Sequence, residues 1–365
     1  MKILEILISL APGGAEHIVV ELCNEMAKSE SVTLLTLLSD KEDEQGFYMN
    51  ELSNKVNYIN LGWKKGKHLS YFIKICNTIR KINPDVVHFH SASRFYLILA
   101  NVLLKRRFPF IMTMHSDVLK GYTKGFSGIQ VRWAGYNRVH FVTISDTNYQ
   151  QFHKAFPYFK QTLIYNGRSE LKPSCNYEEI KQEVRSYKTS PQTVTFIHVA
   201  RCSEVKNQKL LIKSFNKLVS DGVDAILLVL GAGFDSELGK ALKEMSCDKV
   251  IYIGAKDNVF DYMKESDALC ITSDREGMPM VAIEAIMAGL PILSTPVCGV
   301  VDVVKSGYNG IISKDHEMES FYSVLNCFIK DKEKIRSIAE KESHDCPYTI
   351  SNCSQSYIKL FRELL

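Results

Sequence analysis

No stretch of this 365-residue sequence is apolar for long enough to cross a membrane as a helix. That would need about 20 consecutive apolar residues, and the longest runs, such as Ala225-Ile226-Leu227-Leu228-Val229-Leu230, are far shorter. The apolar start from Met1 to Ile8 is interrupted by Glu5 and followed by Pro12-Gly13-Gly14 instead of a small-residue cleavage site. It therefore reads as a first buried strand rather than a secretion signal. The ten cysteines show no Cys-x-x-Cys spacing, which disfavours a zinc site or a disulfide framework and points to reduced thiols in a cytoplasmic setting. The nucleotide-binding pattern Gly-x-Gly-x-x-Gly is absent, so a dinucleotide site is disfavoured. So is any Asp-x-Asp triplet, and a metal-dependent diphosphate site of that type has no support. Short repeats and low-complexity segments are also missing.

What is present is an ordinary globular balance of 45% hydrophobic and 24% charged residues, in a chain long enough for two domains. The net charge of +4 is uneven. Residues 1–170 carry 21 Lys and Arg against 14 Asp and Glu, and the rest carry 24 against 27. The basic half is the one suited to an anionic surface.

Short β-rich runs alternate with amphipathic helical stretches, the pattern of parallel sheets with crossover helices. The first half supplies strand candidates at Lys2–Ile8, Val32–Leu38, Val56–Leu61, Asp85–His90, Phe110–Met114, Val139–Ile144 and Thr162–Tyr165. Helices are expected over Glu16–Lys28 and over Leu69–Ile82, the latter ending before Asn83-Pro84. A polar stretch with Pro173 and Pro191 reads as a linker over 171–192, with a charged helical piece near Tyr177–Tyr187. Strands resume at Thr193–Ala200, Ala225–Leu230, Val250–Ile253, Ala268–Ile271, Pro291–Ser294 and Gly310–Ile312. The expectation is α/β with two doubly wound domains, 1–170 and 193–348. A last helix over 349–365 carries Tyr357, Leu360, Phe361 and Leu364 at helical spacing and packs back on the first domain.

Four segments carry candidate chemistry. Gly13-Gly14 follow the first strand and open a helix, where glycines let backbone N–H groups approach an anion; the alternative is a tight turn needing positive φ. Glu276-Gly277-Met278-Pro279-Met280 lead into a helix that ends at Gly289 and Pro291 and contains Glu284. The C-terminal edge of a strand in an open α/β sheet is where ligands bind. Two carboxylates beside free helix N–H groups can hold hydroxyls of one ligand while the N–H groups meet its phosphates. The plainer alternative is an exposed loop charge and a solvent-facing helix residue. Arg201 and Lys206 follow the first strand of the second half, and both suit a diphosphate. Against this, Lys206 reads as a surface lysine and Arg201 as a partner of Glu204. Finally, His88 and His90 share one strand face, and His115 ends another strand. A metal there would need further ligands that the sequence does not identify.

Together these residues resemble the retaining glycosyltransferases of family 4, with the GT-B fold of two Rossmann-like domains facing each other across a cleft. The resemblance spans nearly the whole chain. It is strongest at the Glu-x7-Glu pair Glu276 and Glu284, supported by Arg201 and Lys206, Leu230-Gly231-Ala232-Gly233 and Ser294-Thr295-Pro296-Val297-Cys298-Gly299. It implies that Gly13 and Gly14 meet the diphosphate and that Arg201 and Lys206 neutralise the leaving group. His115 would contact the donor sugar, Glu276 its hydroxyls, and Glu284 the ribose. The backbone of Gly277, Met278, Pro279 and Met280 would meet sugar and phosphate. Gly231 would join this site, and Gly254, Ala255 and Val259 would line the base. No cofactor or metal is implied; the partners would be a UDP-sugar and a saccharide or lipid-linked acceptor.

Two departures stand out: Arg168 after Tyr165-Asn166-Gly167, and Cys202 after Arg201. Lys64, Lys65, Lys67 and His68, the helix with Lys74, Arg80 and Lys81, and Lys105-Arg106-Arg107 suit a peripheral contact with anionic lipid. In that helix Phe72, Ile75, Ile79 and Ile82 form the apolar face. No nucleic-acid-binding module accompanies the charge. A nucleotide-sugar epimerase or hydrolase on the same fold, or a non-catalytic binding subunit, stays open as an alternative.

Overall fold

The computed structural model describes residues 1–40, 46–64, 70–90 and 94–365. These fall into two compact units. The first comprises Met1–Ser169 and Pro347–Leu365, the second Glu170–Cys346.

The first unit holds a seven-stranded, all-parallel sheet. Its strands are β1 (Lys2–Leu7), β2 (Ser31–Leu38), β3 (Asn57–Trp63), β4 (Val86–His90), β5 (Phe110–Met114), β6 (His140–Thr143) and β7 (Gln161–Leu163). Their spatial order is β3-β2-β1-β4-β5-β6-β7. The strands are nearly continuous apolar runs because helices cover both faces of a parallel sheet. Leu4, Ile6, Val87, Phe89, Met112 and Met114 point to one face and join one core cluster. The opposite face lies under the helix Ile350–Leu364, which packs beside the helix Gly14–Met26. Tyr357, Leu360 and Phe361 are buried there, as the helical spacing predicts.

Arg168 anchors this returning segment. Its N–H donates to the Tyr348 carbonyl at 2.9 Å, and its carbonyl accepts from the Ile350 N–H at 2.9 Å. Its guanidinium donates to Glu21 Oε1 at 2.8 Å and lies 3.0 Å from His17 Nε2. The position where the sequence departs from the family pattern is thus a tie between the first helix and the C-terminal segment.

The second unit holds six parallel strands. They are β8 (Val194–Val199), β9 (Ala225–Leu230), β10 (Val250–Gly254), β11 (Ala268–Ile271), β12 (Ile292–Ser294) and β13 (Gly310–Ile312), in the order β10-β9-β8-β11-β12-β13. Phe196, Phe215, Phe321, Phe328, Leu227 and Leu293 centre its core. Both sheets show the doubly wound arrangement, with the order reversing beside the first strand, at β1/β4 and at β8/β11.

The stretch 171–192 is not a free linker. Tyr177–Tyr187 is a helix of the second unit. The Tyr177 hydroxyl donates to Glu265 Oε1 at 2.6 Å, and the Tyr262 hydroxyl donates to Glu183 Oε2 at 2.7 Å. Only Ile180 and Val184 are buried on it. Such a narrow stripe on a charged helix is why the segment reads as polar linker in sequence.

Candidate functional site

In the second unit the candidate residues sit where the strand order reverses, at the C-terminal ends of β8 and β11. Lys206 follows β8 in a short turn, and Glu276 follows β11. The Lys206 ammonium donates to Glu276 Oε1 at 2.7 Å. Both side chains are largely but not wholly shielded, 28% and 13% exposed, so this is not an isolated surface lysine. The two loops are also joined through their backbones. The Asp274 N–H donates to the Val205 carbonyl at 2.8 Å, and Thr272 Oγ1 donates to the Lys206 carbonyl at 3.1 Å. Asn207 Nδ2 donates to Asp274 Oδ1 at 2.9 Å. Asn207 itself adopts a left-handed conformation, φ 46°, and its side chain caps the helix Gln208–Ser220, a role that Asn fills with little strain.

Arg201 lies at the end of β8 and is exposed. Among the described residues it forms no salt bridge, so the pairing with Glu204 expected as its alternative is not formed. Gln208 Nε2 donates to its carbonyl at 3.0 Å and fixes the local backbone.

The loops after β8, β9 and β10 are stacked edge to edge. Gly231 donates its N–H to the Gly254 carbonyl at 2.9 Å, and the Cys202 N–H donates to the Ala232 carbonyl at 2.8 Å. Gly231 has φ 140°, and a Cβ there would stand 2.1 Å from the Ala200 carbonyl oxygen. Only glycine lets β9 approach the Arg201 loop this closely. Gly254 also has positive φ, 86°; Ala255 after it is exposed and Val259 starts a short helix.

The helix Met280–Ala288 starts after Pro279 with no side-chain cap and ends at Gly289 in a left-handed conformation. Its first N–H groups are therefore suited to an anion. Gly277, Met278 and Pro279 are buried ahead of it. The Gly299 backbone supports that turn: a Cβ on Gly299, at φ 75°, would lie 2.3 Å from the Gly277 carbonyl oxygen. Glu284 is half-buried and is the one charge in an otherwise apolar helix. The solvent-facing alternative would expose it on a polar helix, which this is not.

One residue of this unit was not anticipated. His198 on β8 is buried, and its Nδ1 lies 2.9 Å from the Cys270 carbonyl. Burial, with a smaller effect from the Lys206 charge, holds its pKa down at about 4. The neutral ring donates through Nδ1, and Nε2 has no partner among the described residues.

In the first unit, Gly14 is exposed at the start of the helix Gly14–Met26, and Gly13 stands just before it with φ −180°. That is extended backbone, so the positive-φ turn is not formed. No side chain caps this helix either.

His115 follows β5 at the same sheet edge. Its Nε2 is 3.0 Å from His90 Nδ1, and His90 Nε2 is 2.8 Å from Glu5 Oε2. His88 Nδ1 is 3.0 Å from Glu5 Oε1. Glu5, His88 and His90 present potential ligand atoms within 4.8 Å of one another. Glu5 thus supplies the third donor that the sequence did not reveal. Each facing nitrogen is, however, already engaged by its carboxylate.

Lys65, Gly66, Lys67 and His68 lie outside the described residues. In the helix Ser70–Ile82, Phe72, Ile75 and Ile79 are buried in the core of the unit, so the apolar face expected for lipid is occupied. Lys105, Arg106 and Arg107 are exposed. Apolar exposure occurs at Ile73 (67%) on the other side of the helix Ser70–Ile82, and at Phe95 (41%), Phe126 (62%) and Ile129 (63%), with the two phenyl rings 6.5 Å apart.

Comparison with known proteins agrees with this geometry. The model for "Glycosyltransferase Family 4" matches residues 12–169, and that for "Glycosyl transferases group 1" matches residues 177–344. N-acetyl-alpha-D-glucosaminyl L-malate synthase of Bacillus anthracis is 24% identical over 274 residues, 73% of this chain and 71% of that protein. An alpha-1,4-N-acetyl-D-galactosaminyltransferase of Campylobacter jejuni, named for an undecaprenol-linked substrate, is 22% identical over 100% of this chain and 99% of its own. The structure of Anabaena Alr3699/HepE in complex with UDP and glucose superposes with a TM-score of 0.81 at 18% identity, covering 100% of both chains. Two doubly wound parallel units with these relatives define a glycosyltransferase of the GT-B fold. The chain belongs to glycosyltransferase family 4.

Proposed function

We propose that this chain is a retaining, metal-independent transferase. It moves a hexose or N-acetylhexosamine from a UDP-linked donor to a saccharide or lipid-linked acceptor, in the assembly of a surface polysaccharide or glycolipid. The observation that carries the proposal is the Lys206–Glu276 pair at the strand-order reversal of the second unit, beside the uncapped helix start at Met280. Relatives support a nucleotide-sugar donor: the Anabaena protein binds UDP and glucose, and the Campylobacter one is named for a lipid-linked acceptor.

In this reading the diphosphate lies against the first N–H groups of the helix Met280–Ala288, with Lys206 and Arg201 opposite its oxygens. Glu284, one turn into the helix, accepts from the ribose hydroxyls, and Glu276 accepts from hydroxyls of the sugar. As the bond from the sugar's anomeric carbon to the diphosphate oxygen breaks, negative charge grows on that oxygen. Fixed cations and N–H dipoles stabilise it without reorganisation. The acceptor hydroxyl attacks from the same face and passes its proton to the departing diphosphate, so configuration is retained without a carboxylate nucleophile. Lys206 serves both groups: its bond to Glu276 holds the carboxylate in place, and its charge meets the leaving group. The absence of any Asp-x-Asp triplet supports charge neutralisation by side chains rather than by a metal.

The acceptor side belongs to the first unit, whose exposed cations and the Phe95–Phe126 patch suit contact with the cytoplasmic face of an anionic membrane. Among the described residues no helix is long and apolar enough to cross one.

A thermal-shift panel of UDP, GDP and ADP tests the donor assignment. A ligand at 100 times its Kd adds about 2.7 kcal/mol of stability. UDP is expected to raise Tm most, and a panel in which no nucleoside diphosphate raises Tm would reject the reading.

A further inference from the structure

Three hydrogen bonds fasten the loop after β8 to the loop after β11. Two of them use the backbone of the first loop. The Asp274 N–H donates to the Val205 carbonyl at 2.8 Å, and Thr272 Oγ1 donates to the Lys206 carbonyl at 3.1 Å. The third joins two side chains, with Asn207 Nδ2 donating to Asp274 Oδ1 at 2.9 Å. Asn207 directly follows Lys206, and Asp274 stands two residues before Glu276. That bond therefore ties together close chain neighbours of both members of the Lys206–Glu276 pair. We infer that Asn207 and Asp274 are positioning residues: the bond between their side chains sets where the Lys206 ammonium stands when the diphosphate departs. The leaving group rests on the transferase reading above; how Lys206 is held does not.

Asn207 has φ 46° and ψ 46°. A residue with a Cβ is disfavoured in this left-handed region, so the conformation needs support. The side chain supplies it on both sides. A backbone N–H only donates, so the Leu210 N–H fixes Oδ1 on its own side, 3.3 Å away, and leaves Nδ2 for the Asp274 carboxylate. His316 Nδ1 is 3.8 Å from the same Asp274 oxygen, beyond hydrogen-bonding reach. The left-handed residue is also where the chain passes from the short helical turn Glu204–Lys206 into the helix Gln208–Ser220. If it relaxes, the direction in which the Lys206 side chain leaves the backbone changes. A displacement of about 1 Å can cost on the order of 100-fold in rate.

Substitutions at the two positions separate the bond from the charge. Asn207→Asp keeps an acceptor for the Leu210 N–H and tolerates the left-handed backbone, but it turns the donor facing Asp274 into a second carboxylate. Asp274→Asn keeps an acceptor for Asn207 and removes one charge. The double variant, Asn207→Asp with Asp274→Asn, restores a donor and an acceptor with the direction reversed and the net charge of the wild type. Turnover by the full chain is read as UDP release from UDP-glucose, UDP-galactose or UDP-N-acetylglucosamine. Asn207→Asp is expected to lose about 10- to 100-fold in kcat, with KM for the donor and Tm little changed. Asp274→Asn and the double variant are expected close to the wild type. In a Lys206→Ala background Asn207→Asp should cost nothing further, because residues that act as a unit are not additive. If Asn207→Asp does not fold, Asp274→Ala removes the acceptor at an exposed position and carries the same comparison.

Nitrogen-15 labelling of lysine adds a reading that needs no turnover. The Lys206 ammonium, identified by its loss in Lys206→Ala, is expected as a resolved signal in the wild type because Glu276 holds it. It should broaden in Asn207→Asp and return in the double variant. Unaltered kcat in an active Asn207→Asp, or a lowered kcat with an unaltered ammonium signal, would overturn the inference. So would a double variant no better than Asn207→Asp, or an equal loss in the Lys206→Ala background. Wild-type protein that turns over no nucleotide sugar would instead reject the transferase reading, and the ammonium signal then decides the positioning by itself.

Discussion

Lys206 is held from three directions: its ammonium by Glu276, its carbonyl by Thr272, and the neighbouring Val205 carbonyl by the Asp274 N–H. Such a residue is positioned before any ligand arrives, which is what charge stabilisation in a transition state requires. Lys206→Ala and Arg201→Ala are each expected to cut turnover by about 100-fold or more, the loss of one such donor. Folding should be intact, because neither side chain belongs to the core. Near-normal UDP release by both variants would overturn these roles. In sequence, Lys206 and Glu276 are 70 residues apart, and only the family resemblance pairs them. The place of Glu5 beside His88 and His90 was harder to see. His88 and His90 stood out by alternation, but Glu5 read as a break in an apolar run. The signal was its parity: Leu4 and Ile6 face one core, so the intervening acid had to face the other side of a buried sheet. His198 was concealed for the same reason, as one polar residue within an apolar strand.

Elements were more legible than residues. Each strand expected from apolar runs between turn signals is present, with ends displaced by a residue or two, because a parallel sheet buried on both faces requires such runs. The sequence shows the helix Tyr177–Tyr187 but reads as linker there, since two buried residues on a charged helix say little about which body it joins. The helix Ser70–Ile82 shows the limit of amphipathic reasoning. Its stripe is real, but the stripe faces the core, so the cations Lys74, Arg80 and Lys81 ride on a structural helix. Lys74 donates to the Leu61 carbonyl, which ties even one of those to the fold. A lipid contact must then combine the exposed basic residues, each worth about 1 kcal/mol near an anionic surface, with Phe95, Phe126 and Ile129. Sedimentation with vesicles should show binding to anionic lipid that weakens as salt is raised, and little to neutral lipid. Equal, negligible binding to both would remove the membrane contact.

At the scale of the molecule, one architecture is used twice, with different chemistry at each strand-order reversal. The first unit places buried histidines and an acid there, and the second places a lysine, a glutamate and an uncapped helix. Basic charge is concentrated in the first unit's sequence, yet the cations assigned to the diphosphate belong to the second. The proposed function therefore depends on where the nucleotide binds. The most direct measurement is a structure of the full chain with UDP. The diphosphate oxygens are expected at hydrogen-bonding distance, about 2.7–3.2 Å, from Lys206 Nζ and the first N–H groups of the helix Met280–Ala288, with the ribose on Glu284. UDP bound elsewhere, with Lys206 and Glu276 still paired and untouched by ligand, would contradict it.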